Sequence, residues 1–263
     1  MKTPAPLVFN GGEWLGTYAL PFFFAGLLGV TVIVGLAVWA IQRNAWTNAL
    51  LIRLAILVFA IAASLFAVIA GGIGVDRPEA LLDQSLSTAV GLHTSGGVLQ
   101  VFRWITDLGD PKLLTVWCVI FGIILIARRE YVLAGGWVIA IAGNATLNRV
   151  LKATFERARP IHEQAFHAQG WSFPSGHTSG AIVTYGMLAY LAVHYLPAKW
   201  HATVMMIAAA LVFTIGCSRI FLQLHYLSDV LAGWATGIAW LTLCITATEL
   251  LYRRYNGRAS PKI

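Results

Sequence analysis

The sequence predicts an all-α integral membrane protein, a bundle of about seven transmembrane helices. Hydrophobic residues make up 58% of its 263 residues and charged residues only 11%, whereas soluble domains carry about 25% charged residues. The apolar runs reach the roughly 20 residues needed to cross a bilayer, and they lack the alternation of β-barrel strands. The predicted spans are residues 18–41, 54–75, 113–127 with a start near 105, 131–151, 178–196, 202–218 and 225–250.

The chain divides into three expected parts. The first apolar run begins late and has no small-residue cleavage pattern after it, so we expect it to be retained. Residues 76–112 lack a clear span but contain two amphipathic stretches, LLDQSLSTAVGL and VLQVFRWITDLG, which are typical of helices along a membrane surface. We expect an extra N-terminal transmembrane helix and loop over 1–53, a membrane core over 54–251 and a basic cytoplasmic tail over 252–263.

The net charge of +7 indicates basic loops or an anionic ligand in a membrane protein, and we expect no nucleic-acid partner. Seven spans place the termini on opposite sides, and the 18 lysines and arginines divide equally between these sides. The charges in short loops at span ends, Arg43, Arg53, Arg128 and Arg129, together with the basic tail, predict a cytoplasmic side. The opposite side would then be the periplasmic face of the inner membrane.

Three polar segments fall at span ends on this opposite side. The first is KATFERARP, in which Lys152 and Arg159 are seven residues apart and would share one face of a helix. Pro160 disfavours helix at Arg159, so we expect its guanidinium where the helix ends. A guanidinium fork and a lysine point charge both suit phosphate oxygens.

The second segment is PSGH. Pro174 and Gly176 interrupt the chain just before a predicted helix, which leaves the backbone N–H groups of residues 175–177 near its N-terminus. Such groups are donors without intrahelical partners at the positive end of the helix dipole, an arrangement that suits an anion. Ser175 adds a hydroxyl donor and His177 adds an imidazole.

The third segment is SRIFLQLHYLSD. His225 and Asp229 are four residues apart, so a helix would make them neighbours on one face. A carboxylate beside an imidazole fixes its tautomer and raises its basicity. Arg219 supplies another cation.

Each segment alone has an ordinary explanation: a basic anchor at the membrane edge, a surface ion pair or a turn before a helix. Their common side favours instead one phosphate site with a histidine nucleophile and a histidine acid. A metal site is disfavoured because the sequence has no HExxH motif and no second acidic cluster. The three cysteines have no CxxC or zinc spacing either.

In pattern form the segments are K-x6-RP, PSGH and SR-x5-H-x3-D. They resemble the three signatures of the type 2 phosphatidic acid phosphatase family, the lipid phosphate phosphatases of the acid phosphatase/vanadium haloperoxidase superfamily. The resemblance covers residues 83–250 and implies a six-helix phosphatase core, with residues 18–41 as an additional helix. It also implies an outward-facing site and catalysis without a metal or other cofactor.

The resemblance implies a role for each site residue. His225 would attack the phosphorus and form a phosphohistidine, which Asp229 would orient. His177 would protonate the leaving group and then help to activate water. The phosphate oxygens would be held by Lys152, Arg159, Arg219, Ser175 and the Gly176 amide.

The expected function is hydrolysis of a lipid phosphomonoester or diphosphate: undecaprenyl diphosphate, phosphatidylglycerol phosphate, phosphatidate or a lipid A phosphate. A lipid-to-lipid phosphotransferase would carry the same signatures, and a transporter or scaffold would use only the basic cluster. The vanadate-dependent haloperoxidases share the residue types but are soluble.

Before PSGH, Phe166, Trp171 and Phe173 either line a tail entrance or anchor at the interface. Asn144 and Asn148 are expected to form interhelical hydrogen bonds.

Overall fold

The protein is all-helical in the computed structural model, which describes residues 11–44, 47–73, 78–160 and 170–256. This described part contains ten α-helices, one short 3₁₀ turn and no strand. The helices are α1 (Gly11–Thr17), α2 (Ala19–Arg43), α3 (Asn48–Gly71), α4 (Pro78–His93), α5 (Gly96–Asp107), α6 (Pro111–Ala127), α7 (Tyr131–Phe155), α8 (Gly176–Tyr195), α9 (His201–Phe221) and α10 (Leu227–Asn256).

Five helical stretches of the described residues are long and apolar enough to cross a membrane, namely Ala19–Arg43, Asn48–Gly71, Gly96–Ala127, Ala198–Phe221 and Leu227–Tyr255. The other two predicted spans coincide with α7 and α8, which have 25 and 20 residues. These two helices are less apolar because α7 buries Asn144 and Asn148, and α8 begins with the polar sequence GHTSG. The chain is therefore a multi-pass membrane protein, as predicted.

Helix α8 lies at the centre of the bundle. None of its residues before Tyr195 is exposed, and it contacts α6, α7, α9 and α10. An apolar cluster that includes Trp137, Val183 and Met187 packs around its C-terminal half. A second cluster joins α2, α5 and α9 through Phe23, Phe102 and Phe221, with the last two rings stacked 4.4 Å apart.

The two amphipathic stretches form helices α4 and α5, as their pattern predicts. Helix α4 turns Asp83, Leu86 and Val90 into the protein and packs against α9 and α10. It also packs against α1, a short helix that the sequence analysis did not predict. A position along the membrane surface stays a prediction for both amphipathic helices.

Several predicted helix boundaries are wrong by a few residues: α3 covers Asn48–Gly71 where residues 54–75 were predicted, and α6 begins at Pro111 instead of near residue 105. Two further differences affect the site. Helix α7 continues to Phe155 and ends because Glu156 adopts the left-handed region, with φ at 43° and its amide bonded to the Lys152 carbonyl. Arg159 therefore lies beyond the helix and does not share a helical face with Lys152. Helix α10 begins at Leu227, so His225 lies in the turn before it.

Candidate active site

The three polar segments meet at one end of the bundle, where α7 and α9 end and α8 and α10 begin. His177 lies within electrostatic range of Arg219, His225, Arg159 and Lys152. Lys152 in turn interacts electrostatically with Arg159, Arg219 and Asp229. The structure therefore brings together side chains that are up to 77 positions apart in the sequence, from Lys152 to Asp229.

His225 is held in the turn between α9 and α10. Its backbone amide donates to the Arg219 carbonyl at 3.2 Å, and its side chain is only 2% exposed. Ring atom Nδ1 lies 3.3 Å from Oδ2 of Asp229, and Nε2 lies 3.2 Å from Nη1 of Arg159. Because a guanidinium can only donate, Nε2 carries a lone pair and the proton resides on Nδ1.

The pKa of His225 is lowered to about 3. Burial is the main cause, the hydrogen bond and charge of Asp229 oppose it, and the cations Arg219 and Arg159 add to it. The imidazole is therefore neutral near pH 7. A neutral ring with its lone pair on Nε2 is the form that a nucleophile requires.

Asp229 is fully buried and its two oxygens have separate partners. Oδ2 accepts from the Tyr226 amide at 2.9 Å and from the Ser172 hydroxyl, and it faces His225. Oδ1 accepts from Nη1 of Arg157 at 2.7 Å. The predicted pairing of His225 with Asp229 is thus formed, although a turn and not a helical face creates it.

Lys152 and Arg159 both donate hydrogen bonds to backbone carbonyl oxygens of residues 170–172. Nζ of Lys152 donates to the carbonyls of Trp171 and Ser172, the latter at 3.4 Å. Nε of Arg159 donates to Gly170 at 3.0 Å, and its Nη2 lies 3.4 Å from the Trp171 carbonyl. These carbonyl acceptors hold both cations in place and carry no formal charge of their own.

Arg219 is 6% exposed at the end of α9. Its Nη1 donates to Oγ1 of Thr106 at 2.8 Å, which ties it to the last turn of α5. Among the described residues its buried Nε has no hydrogen-bond partner. A buried donor of this kind is costly unless something accepts from it, so Arg219 is suited to an anion.

The PSGH turn places the start of α8 against α7 and α10. A Cβ atom at Gly176 would lie 2.9 Å from Oδ1 of Asn148, so a larger residue there would displace the Asn148 amide. The Ser175 amide donates to the Asp229 backbone carbonyl at 3.0 Å, so the expectation that it is an orphan donor is wrong. The amides of Gly176 and His177 lie in the first turn of a 20-residue helix, at the positive end of its dipole.

Asn144 and Asn148 form interhelical hydrogen bonds from α7 to α8, as predicted, and Asn148 also bonds to the PSGH turn. Nδ2 of Asn148 donates to the Pro174 carbonyl at 3.3 Å, and it also lies 3.5 Å from Oγ of Ser179. Nδ2 of Asn144 lies 3.5 Å from the same hydroxyl. The two amides therefore bond from α7 to the PSGH segment and α8.

The aromatic residues before PSGH have different environments. Phe173 is fully buried against Phe66 of α3 at 5.8 Å and Phe155 of α7 at 5.0 Å, so it neither lines an entrance nor anchors at the interface. Trp171 is 43% exposed. Phe166 lies outside the described residues.

Three residues of this region were not singled out from the sequence: Asp83, Arg157 and Ser172. Arg157 lies inside the K-x6-RP segment, but its type alone does not separate it from a surface cation. Asp83 is 74 positions from Arg157, and only the fold brings them together. Among the described residues, no group of three or more His, Cys, Asp or Glu could hold a metal ion.

Comparison with known proteins finds a family model and several relatives that match this chain. The family model of the PAP2 superfamily matches residues 133–253, which contain all three polar segments. The chain is 32% identical over 158 residues to phosphatidylglycerophosphatase B of Bacillus subtilis (strain 168), covering 59% of this chain and 78% of the relative. It is 33% identical over 118 residues to lipid A 1-phosphatase of Rhizobium etli, covering 41% and 45%.

Two further relatives extend the comparison. Glucose-6-phosphatase 3 of Homo sapiens is 30% identical over 166 residues, covering 54% of this chain and 47% of the relative. The crystal structure of a transmembrane PAP2 type phosphatidylglycerolphosphate phosphatase from Bacillus subtilis superposes with a TM-score of 0.69 at 28% identity, covering 75% of this chain and 98% of that chain. Fold, site and relatives define a membrane-embedded hydrolase of phosphoric esters. The chain belongs to the PAP2 superfamily.

Proposed function

We propose that this enzyme hydrolyses a lipid phosphomonoester or diphosphate through a phosphohistidine on His225, without a metal or other cofactor. The observation that carries the proposal is the convergence of three cations, two histidines and the start of α8 at one end of a bundle of long apolar helices. A lipid phosphate has its charged group at the membrane interface and its tails in hydrocarbon. A site at the helix ends therefore reaches the phosphate without extracting the lipid.

In the first step, Nε2 of His225 attacks phosphorus and the bond from phosphorus to the leaving oxygen breaks. The proton on Nδ1 stays hydrogen-bonded to Asp229, which stabilises the positive charge that develops on the ring. His177 donates a proton to the leaving oxygen. The negative charge of the bound substrate favours the protonated ring that this step requires.

Charge develops on the phosphoryl oxygens during this step, and fixed donors lower its energy. Arg219 has a buried Nε available for this purpose, and Arg159 lies 3.2 Å from the attacking nitrogen. The full set that we assign to the phosphate oxygens is Lys152, Arg159, Arg219, the Ser175 hydroxyl and the Gly176 amide.

In the second step, a water molecule attacks the phosphohistidine and the bond from nitrogen to phosphorus breaks. His177 accepts the proton from this water, so it is ready to act as an acid in the next cycle. Inorganic phosphate leaves, and His225 returns to its neutral form.

The substrate and its location follow from chemistry and from the relatives. Two relatives are named for lipid substrates, phosphatidylglycerophosphatase B and lipid A 1-phosphatase, so we expect phosphatidylglycerol phosphate to be the best of the four candidate lipids. The distribution of arginine in short loops supports an inner-membrane protein with this site on the periplasmic face. The binding partners of the enzyme would be its lipid substrate and the surrounding membrane lipids.

The experiment is phosphate release by the purified full chain in detergent, measured with each of the four candidate lipids. We expect free phosphate from at least one lipid and none from the His225→Ala variant. Transfer of labelled phosphate to a second lipid, without release to water, would instead identify a phosphotransferase. Lipid binding that survives loss of both His177 and His225, with no turnover by the wild type, would identify a transporter or scaffold.

A further inference from the structure

A buried ion cluster connects helix α4 to the carboxylate of Asp229. Nη1 of Arg157 lies 2.7 Å from Oδ1 of Asp229, and Nη2 lies 2.8 Å from Oδ2 of Asp83. The side chains of Arg157, Asp83 and Asp229 are 12%, 4% and 0% exposed. The guanidinium also lies over the ring of Tyr226, 4.4 Å from its centroid. One arginine therefore joins two carboxylates that belong to different helices.

Asp83 fixes the beginning of α10 as well as Arg157. Its Oδ1 accepts from the Ser228 amide at 3.1 Å, and its Oδ2 accepts from the Ser228 hydroxyl. The Ser228 hydroxyl lies 2.6 Å from Nη1 of Arg157. Helix α4 thus contacts the first turn of the helix that carries Asp229.

The cluster leaves Asp229 one defined orientation. Its Oδ1 is engaged by Arg157, so Oδ2 is the oxygen that faces Nδ1 of His225. A buried carboxylate needs such partners, because removing one member of a buried ion pair leaves an uncompensated charge. A rotated or uncharged Asp229 would hold the Nδ1 proton less strongly and would no longer stabilise the positive charge that develops on the ring.

Arg157 and Arg159 are two positions apart but have different contacts. Arg159 lies 3.2 Å from Nε2, the atom that would attack phosphorus. Among the described residues, the guanidinium of Arg157 bonds to Asp83, Ser228 and Asp229, and it reaches His225 through Asp229. The two arginines are therefore expected to differ in their effect on phosphate binding.

We propose that Arg157, held by Asp83 of α4, is a positioning residue that orients Asp229 and through it the nucleophile His225. This inference rests on the proposed function and assigns a part in the reaction to α4, which precedes the region matched by the PAP2 family model. It predicts that loss of Arg157 slows the chemical step and leaves the affinity for phosphate intact.

The test compares purified full-length variants by kcat, KM and the inhibition constant of inorganic phosphate. We expect Arg157→Gln to lower kcat about 10- to 100-fold, the range for residues that orient metal-binding histidines and carboxylates in other enzymes, with a nearly unchanged phosphate inhibition constant. Arg157→Lys should restore part of the rate, because a point charge replaces only one arm of the fork. Asp83→Asn should lower kcat less, and the double variant should be no slower than Arg157→Gln.

Matched controls separate the outcomes. Arg149→Gln removes an exposed arginine of α7 and should leave kcat at the wild-type value, whereas Arg159→Gln should weaken phosphate inhibition. Wild-type kcat in Arg157→Gln would overturn the proposal, as would weakened phosphate inhibition like that of Arg159→Gln. If Arg157→Gln does not fold, the Arg157→Lys and Asp83→Asn variants test the proposal instead. An unchanged kcat in both of them would overturn it. Full activity in His225→Ala would instead refute the proposed mechanism, whatever the Arg157 variants show.

Discussion

Two histidine–carboxylate pairs lie at opposite ends of the bundle, and each has a nitrogen–oxygen separation of 3.3 Å. His225 pairs with Asp229 beside the candidate active site, and His194 pairs with Glu249 at the far end. Only the contact of His225 has hydrogen-bond geometry, whereas Nε2 of His194 is buried without a hydrogen-bond partner in the described part of the chain. A short separation between the two groups is therefore not enough to prepare a nucleophile.

The two pairs have the same nitrogen–oxygen separation, but their surroundings differ. His194 lies in the last turn of α8 between Tyr190 and Tyr252, near the negative end of the helix dipole. His177 lies in the first turn of the same helix, near the positive end, within electrostatic range of several cations. The two ends therefore differ in the positive charge gathered around the histidine, and this charge is what we expect a phosphate site to require in addition to a histidine–carboxylate pair.

Removal of each histidine in turn should give the largest difference between the two pairs. We expect His225→Ala to lose at least about 10⁴-fold in kcat/KM, because removal of a catalytic nucleophile has effects of this order or larger. His194→Ala should keep turnover close to the wild type per folded molecule. Phosphate release from a labelled lipid is the measurement, and equal losses in both variants would show that the two pairs are equivalent.

The next largest effect concerns the cations. Arg219→Ala removes a buried donor, so kcat should fall by about 10²-fold or more, as for the loss of one oxyanion donor. Arg253→Ala is the matched change at the far end, where Nε of Arg253 donates to Glu249 at 2.7 Å, and it should leave kcat nearly unchanged. Steady-state kinetics of the two variants tests this prediction. A wild-type kcat in Arg219→Ala would contradict the role assigned to Arg219.

A smaller effect is expected in the pH dependence of stability. The folded-state pKa of His225 is lowered to about 3, mainly by burial, whereas the unfolded chain takes up this proton near pH 6.5. Below about pH 6.5 the unfolded chain binds a proton that the folded protein does not bind. The free energy of unfolding therefore falls by about 1.4 kcal/mol per pH unit as the pH decreases. Replacing His225 with glutamine removes this contribution.

The measurement is the melting temperature of the wild type and of His225→Gln between pH 7.5 and pH 5. The melting temperature of the wild type should fall relative to that of the variant as pH decreases. Parallel curves would mean that His225 has the same pKa in the folded and unfolded chain.

The smallest expected effect is that of chelators. The groups that we assign to the phosphate oxygens are cations and neutral donors, so EDTA should leave phosphate release unchanged. A metal-dependent phosphatase in the same buffer is the positive control. Loss of activity that a divalent cation restores would require a metal in the reaction.

The sequence was sufficient to predict the helical membrane fold and the residues that gather at one end. Apolar runs of spanning length define the bundle, and the segments around Lys152, His177 and His225 all follow or precede such runs. Local boundaries were less predictable, because Glu156 takes the left-handed conformation without being a glycine or an asparagine, and because the start of α10 involves contacts of Ser228 with Asp83 of α4. Asp83 could not be assigned at all, since its partner Arg157 is 74 positions away.

The most direct test of the central claim is to trap the reaction intermediate. The purified chain is mixed rapidly with phosphatidylglycerol phosphate labelled in its terminal phosphate, quenched in base and digested for mass spectrometry. We expect an acid-labile, base-stable phosphoryl group on the peptide that contains His225, and none in His225→Ala. A label on a different residue, or turnover by His225→Ala at the wild-type rate, would contradict the account.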